Sequence, residues 1–228
     1  MNLKLGTSDL ELQTSNSKKL SNIQITTQEL GKRFNREWIF RNLTFNFTSG
    51  NTYAITGPNG SGKSTLLHVL WGQVPASTGT VRYTQGDTEI SVEQIYQHIS
   101  IATPYMDLID EFTLLEQLQF HFKLKKSRDD MSLENMLDRM NLEHAKDKYI
   151  SNFSSGMRQR LKLALAFFTE ADIAFLDEPG TNLDSQAFAW YVKELNALPN
   201  TTLTFIASNQ PAEYPENSIV LNVADYKK

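Results

Sequence analysis

The sequence predicts an α/β protein. A β-rich first third leads into a helical middle third, and the last third alternates strands with helices around a sheet buried on both faces. Three observations predict this. A glycine-rich stretch, Gly57 to Thr65, lies between a strand-like run and a helix-like run. Two apolar runs of strand length, Asp172–Leu176 and Thr202–Ala207, suit a sheet covered on both faces. The middle third, from Thr113 to Met140, shows helical spacing in place of strand alternation.

Residues 1–20 are polar, rich in Ser, Asn, Thr and Lys, and show no sustained period. They are expected to form a loose extension before one domain spanning 21–228. From Ser21 to Thr56 the chain reads as β structure. Leu43, Phe45 and Phe47 alternate with Thr44, Asn46 and Thr48, the pattern of a half-buried strand. Asn51–Thr56 reads as a strand running into the glycine-rich loop, and Thr65–Trp71 as the helix leaving it. Val81 and Tyr83 continue the β style, with a turn signal at Gly86-Asp87. Thr113 and Glu116 have capping-box spacing, and Leu115, Leu118 and Phe122 then recur at helical intervals. Ser132–Met140 repeats that pattern over a shorter span, giving a helical subdomain over about 105–165. Leu161–Phe168 reads as an amphipathic helix. Phe188, Tyr191, Val192 and Leu195 mark a helix face between the two buried strands.

Bulk properties narrow the function. At 228 residues, folding buries roughly 70–75% of the unfolded surface, enough for a sizeable core. The net charge is −4, which lacks the basic footprint of a nucleic-acid binder. There is no cysteine, hence no disulfide frame and no thiolate metal site. No apolar run approaches membrane-spanning length, and the N-terminus has no apolar signal core. His68, His98, His121 and His144 match no metal-ligand spacing.

Residues 57–65 read Gly57-Pro58-Asn59-Gly60-Ser61-Gly62-Lys63-Ser64-Thr65 and fit the phosphate-loop pattern G-x-x-x-x-G-K-[ST]. Glycines let the backbone fold into a nest of inward N–H groups. Lys63 supplies a point charge for outer phosphates, and Ser64 a hydroxyl for Mg²⁺. A second motif, Ile173 to Glu178, is an apolar strand ending in two carboxylates. Such a strand delivers its last residues to the crevice where α/β sheets bind ligands. Asp177 is placed to hold Mg²⁺, and Glu178 to orient or deprotonate an attacking water. A third stretch, Asn152 to Arg160, opens a helix with small residues, which suits an anion at the positive dipole end.

Together these motifs resemble the nucleotide-binding subunit of ABC transporters, over about residues 21–225. Ser154-Ser155-Gly156-Met157 falls at the family's signature loop and Thr181-Asn182-Leu183-Asp184 at its D-loop. The resemblance implies a P-loop NTPase fold: a RecA-like core, an antiparallel β subdomain and an inserted α-helical subdomain. It implies ATP and Mg²⁺ as ligands, with residues 57–65 and Asp184 on the nucleotide and Ser64 and Asp177 on the metal. Lys63, Glu178 and Asn209 would serve hydrolysis. Phe34, 29 residues before Lys63, takes the adenine-stacking position, with Trp38 as the substitute. Ser154, Ser155 and Gly156 would cover the nucleotide held by a second copy or a homologous subunit. A separate transmembrane permease is the implied partner, no nucleic acid is, and the implied location is peripheral, on the cytoplasmic face of the membrane. The helical lobe with the 103–111 loop is the implied docking face.

Two family positions depart from the pattern. Thr103-Pro104-Tyr105-Met106 stands where the Q-loop glutamine belongs, and Asn209 where the switch histidine belongs. An amide donates a hydrogen bond but neither carries charge nor shuttles a proton, so slow hydrolysis is expected. Two other readings stand beside the transporter motor: an ABC ATPase without transport, and a nucleotide-binding regulator with little turnover.

Overall fold

Strand alternation in the first third and unbroken apolar runs in the last third build two different sheets. The computed structural model describes residues 22–227, so the expected extension over 1–20 lies outside the described residues. The strands are β1 (Ile23–Phe34), β2 (Glu37–Thr48), β3 (Thr52–Thr56), β4 (Thr78–Gln85), β5 (Thr88–Ile90), β6 (Ile99–Ala102), β7 (Ile173–Asp177), β8 (Leu203–Ala207) and β9 (Ile219–Asn222). The helices are α1 (Lys63–Leu70), α2 (Leu114–Leu124), α3 (Leu133–Arg139), α4 (Ser155–Phe168) and α5 (Ser185–Asn196).

One sheet is antiparallel, in the order β2-β1-β4-β5, and the other is parallel, in the order β6-β7-β8-β3-β9. In β2, Leu43 and Phe47 are buried while Thr44 and Asn46 are exposed, as alternation predicts. β7 and β8 are buried at every residue, because helices and the β subdomain cover both faces. Alternate residues of each strand then feed two cores. Phe175 and Phe205 pack with α1 and the antiparallel sheet, whereas Leu176 and Ile206 pack with α2 to α5. Aromatic contacts join the first core: Phe47 to Phe205 at 5.0 Å between ring centroids, and Phe205 to Phe175 at 4.8 Å, nearly parallel.

The insert carries α2 and α3, and α4 leads back to the sheet. Thr113 and Glu116 form the capping box at α2. The buried face of α2 is Leu114, Gln117 and Leu118, with Leu115 only partly buried. It is therefore rotated toward the preceding residues relative to the Leu115–Leu118–Phe122 stripe. In α5 the buried face is Ala187, Trp190, Tyr191, Glu194 and Leu195, with Phe188 and Val192 at its margin. Glu194 is buried because Arg128 and Arg139 of the insert both reach its carboxylate. This ion cluster ties the insert to α5, as does the Trp190 indole N–H donating to the Arg139 carbonyl. Among the described residues no helix is long and apolar enough to cross a membrane.

Candidate nucleotide site

Strand register sets the site. Ala207 of β8 pairs with Ile55 on one side and with Asp177 on the other. Gly57, Glu178 and Ser208–Asn209 therefore leave the sheet at one level, at the carboxyl ends of three parallel strands. In doubly covered sheets that edge is where ligands bind.

The loop from Gly57 to Gly62 carries the chain from β3 into α1. Gly62 precedes α1 with φ +103°, and a Cβ there would collide with Ile39 Cγ2 from β2. A side chain is thus excluded by both backbone conformation and space. Because Gly62 is the N-cap, no side chain satisfies the first N–H groups of α1, and no acid stands in its first turn. That end is open to an anion. Lys63 is 6% exposed, and its Nζ donates to the Gly57 carbonyl at 2.9 Å. The ammonium is held across the mouth of the loop.

Asp177 is 1% exposed. Burial pushes its carboxyl above the usual range, against the pull of a hydrogen bond from Ser64 and the Lys63 charge. Its Oδ1 has no hydrogen-bond partner, and neither does the buried Oγ of Ser61. A buried carboxylate oxygen without a partner is costly, and a cation relieves it. Among the described residues no group of three His, Cys, Asp or Glu could hold a metal. One buried carboxylate beside one hydroxyl suits a hard cation that takes its other ligands from water or phosphate oxygens. Glu178 follows with φ +46° and an exposed side chain. Its own N–H donates to the Ala207 carbonyl at 2.9 Å, which fixes this uncommon conformation.

Asn209 reaches the same place. Its Oδ1 accepts the Gly57 N–H at 3.0 Å, and its Nδ2 lies 3.5 Å from Asn59 Oδ1. The residue at the switch position thus touches the phosphate loop. At the Q-loop position Thr103 is buried, and Tyr105 is 83% exposed.

Other candidates lie apart. Phe34 ends β1 in the hairpin with β2 and is 50% exposed, so it is not a core aromatic. The Lys32 ammonium lies 4.9 Å from its ring centroid. Trp38 packs beside Gly31 and under the Arg33 guanidinium. Ser154 caps α4, accepting the Met157 N–H at 3.2 Å, and both Ser154 and Ser155 face solvent. Gly156 is close enough to the Asn182 carbonyl that a Cβ would sit 3.0 Å from it. Asp184 caps α5 through the Ala187 N–H at 2.7 Å. The buried Gln159 donates to the Pro179 carbonyl at 3.0 Å, joining α4 to the loop after β7. Arg158 pairs with Asp110 at 2.7 Å, joining α4 to the segment after β6.

Sequence reasoning missed Glu213. This residue is 2% exposed and lies in a short 3₁₀ turn, Pro211–Glu213. Burial pushes its carboxyl up, against the pull of Ser208 and the Gly180 N–H, and the Glu178 charge adds to the rise. The sole sequence signal was its place four residues after Asn209. Two of the histidines are engaged locally: His98 with Asp172 at 2.7 Å, and His121 with Thr169 at 2.9 Å.

An open helix start with a buried lysine, facing a buried carboxylate at a parallel sheet edge, defines a P-loop nucleotide-binding protein. Comparison with known proteins narrows this. Residues 40–181 match the family model described as ABC transporter. The chain is 31% identical over 172 residues to an uncharacterized ABC transporter ATP-binding protein, YybJ, of Bacillus subtilis, covering 73% of this chain and 76% of that one. It is 30% identical over 166 residues to Nod factor export ATP-binding protein I of Burkholderia lata, covering 72% of this chain. It spans only 55% of that relative's length. Its fold matches a bacterial ABC transporter cassette solved as a dimer, with TM-score 0.72 and 21% identity, over 88% of this chain and 95% of that one. The chain belongs to the ABC transporter family, as an ATP-binding subunit.

Proposed function

We propose that the protein hydrolyses ATP slowly and drives transport by ATP-dependent pairing of two copies. The observation that carries this reading is the buried Asp177 oxygen without a partner, beside Ser64 and Lys63, with Glu178 exposed one residue further on. Lys63 binds the outer phosphates and Ser64 and Asp177 hold Mg²⁺. The bound ion neutralises charge on the phosphates. Glu178 orients and deprotonates the attacking water. Phe34 offers an exposed ring face for adenine. Ser154, Ser155 and Gly156 of one copy cover the nucleotide held by the other, and Asp184 lies near that junction. Exposure of both serines, and the dimeric form of the similar cassette, support this.

Work done by pairing must reach a membrane protein, because no described helix spans a bilayer. A permease is the partner, and the protein is peripheral on the cytoplasmic face. A groove of about 600 Å³ between α1, β6, α2 and α4, lined by Trp71, Ile95, Tyr96, Tyr105, Met106 and Leu165, is the docking place. It overlaps the helical lobe and the loop after β6. Similarity to a Nod factor export protein favours export.

Glu178→Gln tests the core of this reading. The variant is expected to form a stable dimer with Mg-ATP, read by light scattering; a strictly monomeric profile overturns the pairing. Asn209 accounts for slow turnover, since it donates without charge. Asn209→His is expected to raise kcat about tenfold in a phosphate-release assay, part of the 10²–10³ that one such donor is worth. An unchanged or lower rate instead favours the regulator reading, in which Asn209 holds the Gly57 N–H.

A further inference from the structure

The carboxyl of Glu213 stands between the two loops that carry Glu178 and Asn209. Its Oε1 lies against Gly180, in the loop after β7. Glu213 itself belongs to the segment after β8, where its N–H donates to the Gln210 carbonyl at 3.0 Å. Ser208 Oγ accepts the Gln210 N–H at 2.9 Å, so the turn around Asn209 is ordered next to Glu213. Glu213 is itself fixed from behind: the hydroxyl of Tyr191, fully buried in α5, donates to its backbone carbonyl. The approach to Gly180 is so close that a Cβ there would overlap Glu213 Oε1. The second oxygen, Oε2, is buried with no hydrogen-bond partner. A capping carboxylate at a helix end or turn is normally exposed, so a fully buried one with a free oxygen calls for a reason.

We propose that Glu213 is a positioning residue for ATP hydrolysis, its buried carboxyl packed from the segment after β8 against Gly180 of the loop after β7 to hold Glu178 and Asn209 in register. It does not touch the substrate. It acts through the two loops, which leave neighbouring strands and are joined at their start by the Glu178 N–H donating to the Ala207 carbonyl. The inference rests on the hydrolytic reading above.

The test compares steady-state phosphate release by the full chain, wild type, Lys63→Ala, Glu213→Gln, Glu213→Ala and Gly180→Ala. Glu213→Gln keeps an acceptor in the same shape and is expected to stay within threefold of wild-type kcat. Glu213→Ala is expected to lose at least tenfold in kcat, with KM for ATP changed less than twofold. Gly180→Ala leaves Glu213 in the chain but displaces its carboxyl, and is expected to lose kcat similarly; it keeps the question answerable if Glu213→Ala does not fold. Wild-type turnover in either alanine variant, or a loss that appears in KM, overturns the positioning role alone. Wild type no faster than Lys63→Ala overturns the hydrolytic reading and this inference with it.

Discussion

Two helices of this protein begin with small residues, and their surroundings could hardly differ more. At the start of α1 the cap has no side chain, Lys63 is buried, and Ser61 Oγ and Asp177 Oδ1 are buried without partners. At the start of α4, Ser154 satisfies the helix itself, and Ser154 and Ser155 face water. The first end is desolvated and polarised in advance, so an anion and a cation complete it. The second is already satisfied by its own cap; in the proposed dimer it is the end that a second copy covers. Lys63→Ala should break the first end most severely. A ligand at 100 times its Kd stabilises the native state by about 2.7 kcal/mol. For a chain of this size that is a rise of about 5–10 °C in Tm. Differential scanning fluorimetry with Mg-ATP is expected to show that rise in the wild type and little of it in the variant.

The second end is sharpened by Ser155→Glu. An acid in the first turn of an exposed helix stabilises it by about 0.3–1 kcal/mol, so the monomer should fold and keep its Mg-ATP shift. Against a partner's triphosphate the same charge repels. In a Glu178→Gln background the ATP-dependent dimer is expected to weaken at least tenfold by analytical ultracentrifugation. Equal dimerisation would mean that this loop does not face a nucleotide.

The contrast was partly legible in the sequence. The phosphate loop, the apolar strand before Asp177 and the capping box at Thr113 are local patterns, where spacing alone carries the physics. So is the alternation of Leu43 and Phe47 in β2. Helix faces were legible to within one residue: Tyr191 and Leu195 were read correctly, whereas Trp190 and Glu194 were not. Glu194 reads as a surface residue until Arg128 and Arg139 are brought to it by the fold. The hydrogen bond from Gly57 to Asn209 joins residues 152 apart, and Glu213 meets Gly180 across two strands. No periodicity encodes such contacts, because they depend on strand order and register. Ile39 against Gly62 belongs to the same class.

The last expected effect lies away from both helix ends, on the groove beside α2. His121 Nε2 is 2.9 Å from Thr169 Oγ1, and Thr169 Oγ1 already donates to the Leu165 carbonyl at 2.6 Å. The imidazole must therefore donate through Nε2. Burial, and then the nearby Lys125 charge, lower its pKa from 6.5 to about 4. The unfolded chain thus binds a proton below about pH 6.5 that the folded chain refuses until about pH 4. Stability should fall as the pH drops through that window and stay flat above it. One pKa unit corresponds to about 1.4 kcal/mol, so the loss is at most about 3 kcal/mol. In urea titrations at pH 7.5 and 5, His121→Gln is expected to lose less stability between the two than the wild type. The carboxamide keeps an N–H for Thr169 and has no proton to gain. An equal loss in both proteins would assign the acid sensitivity elsewhere, and would mean that this histidine is more open to water than its hydrogen bond implies.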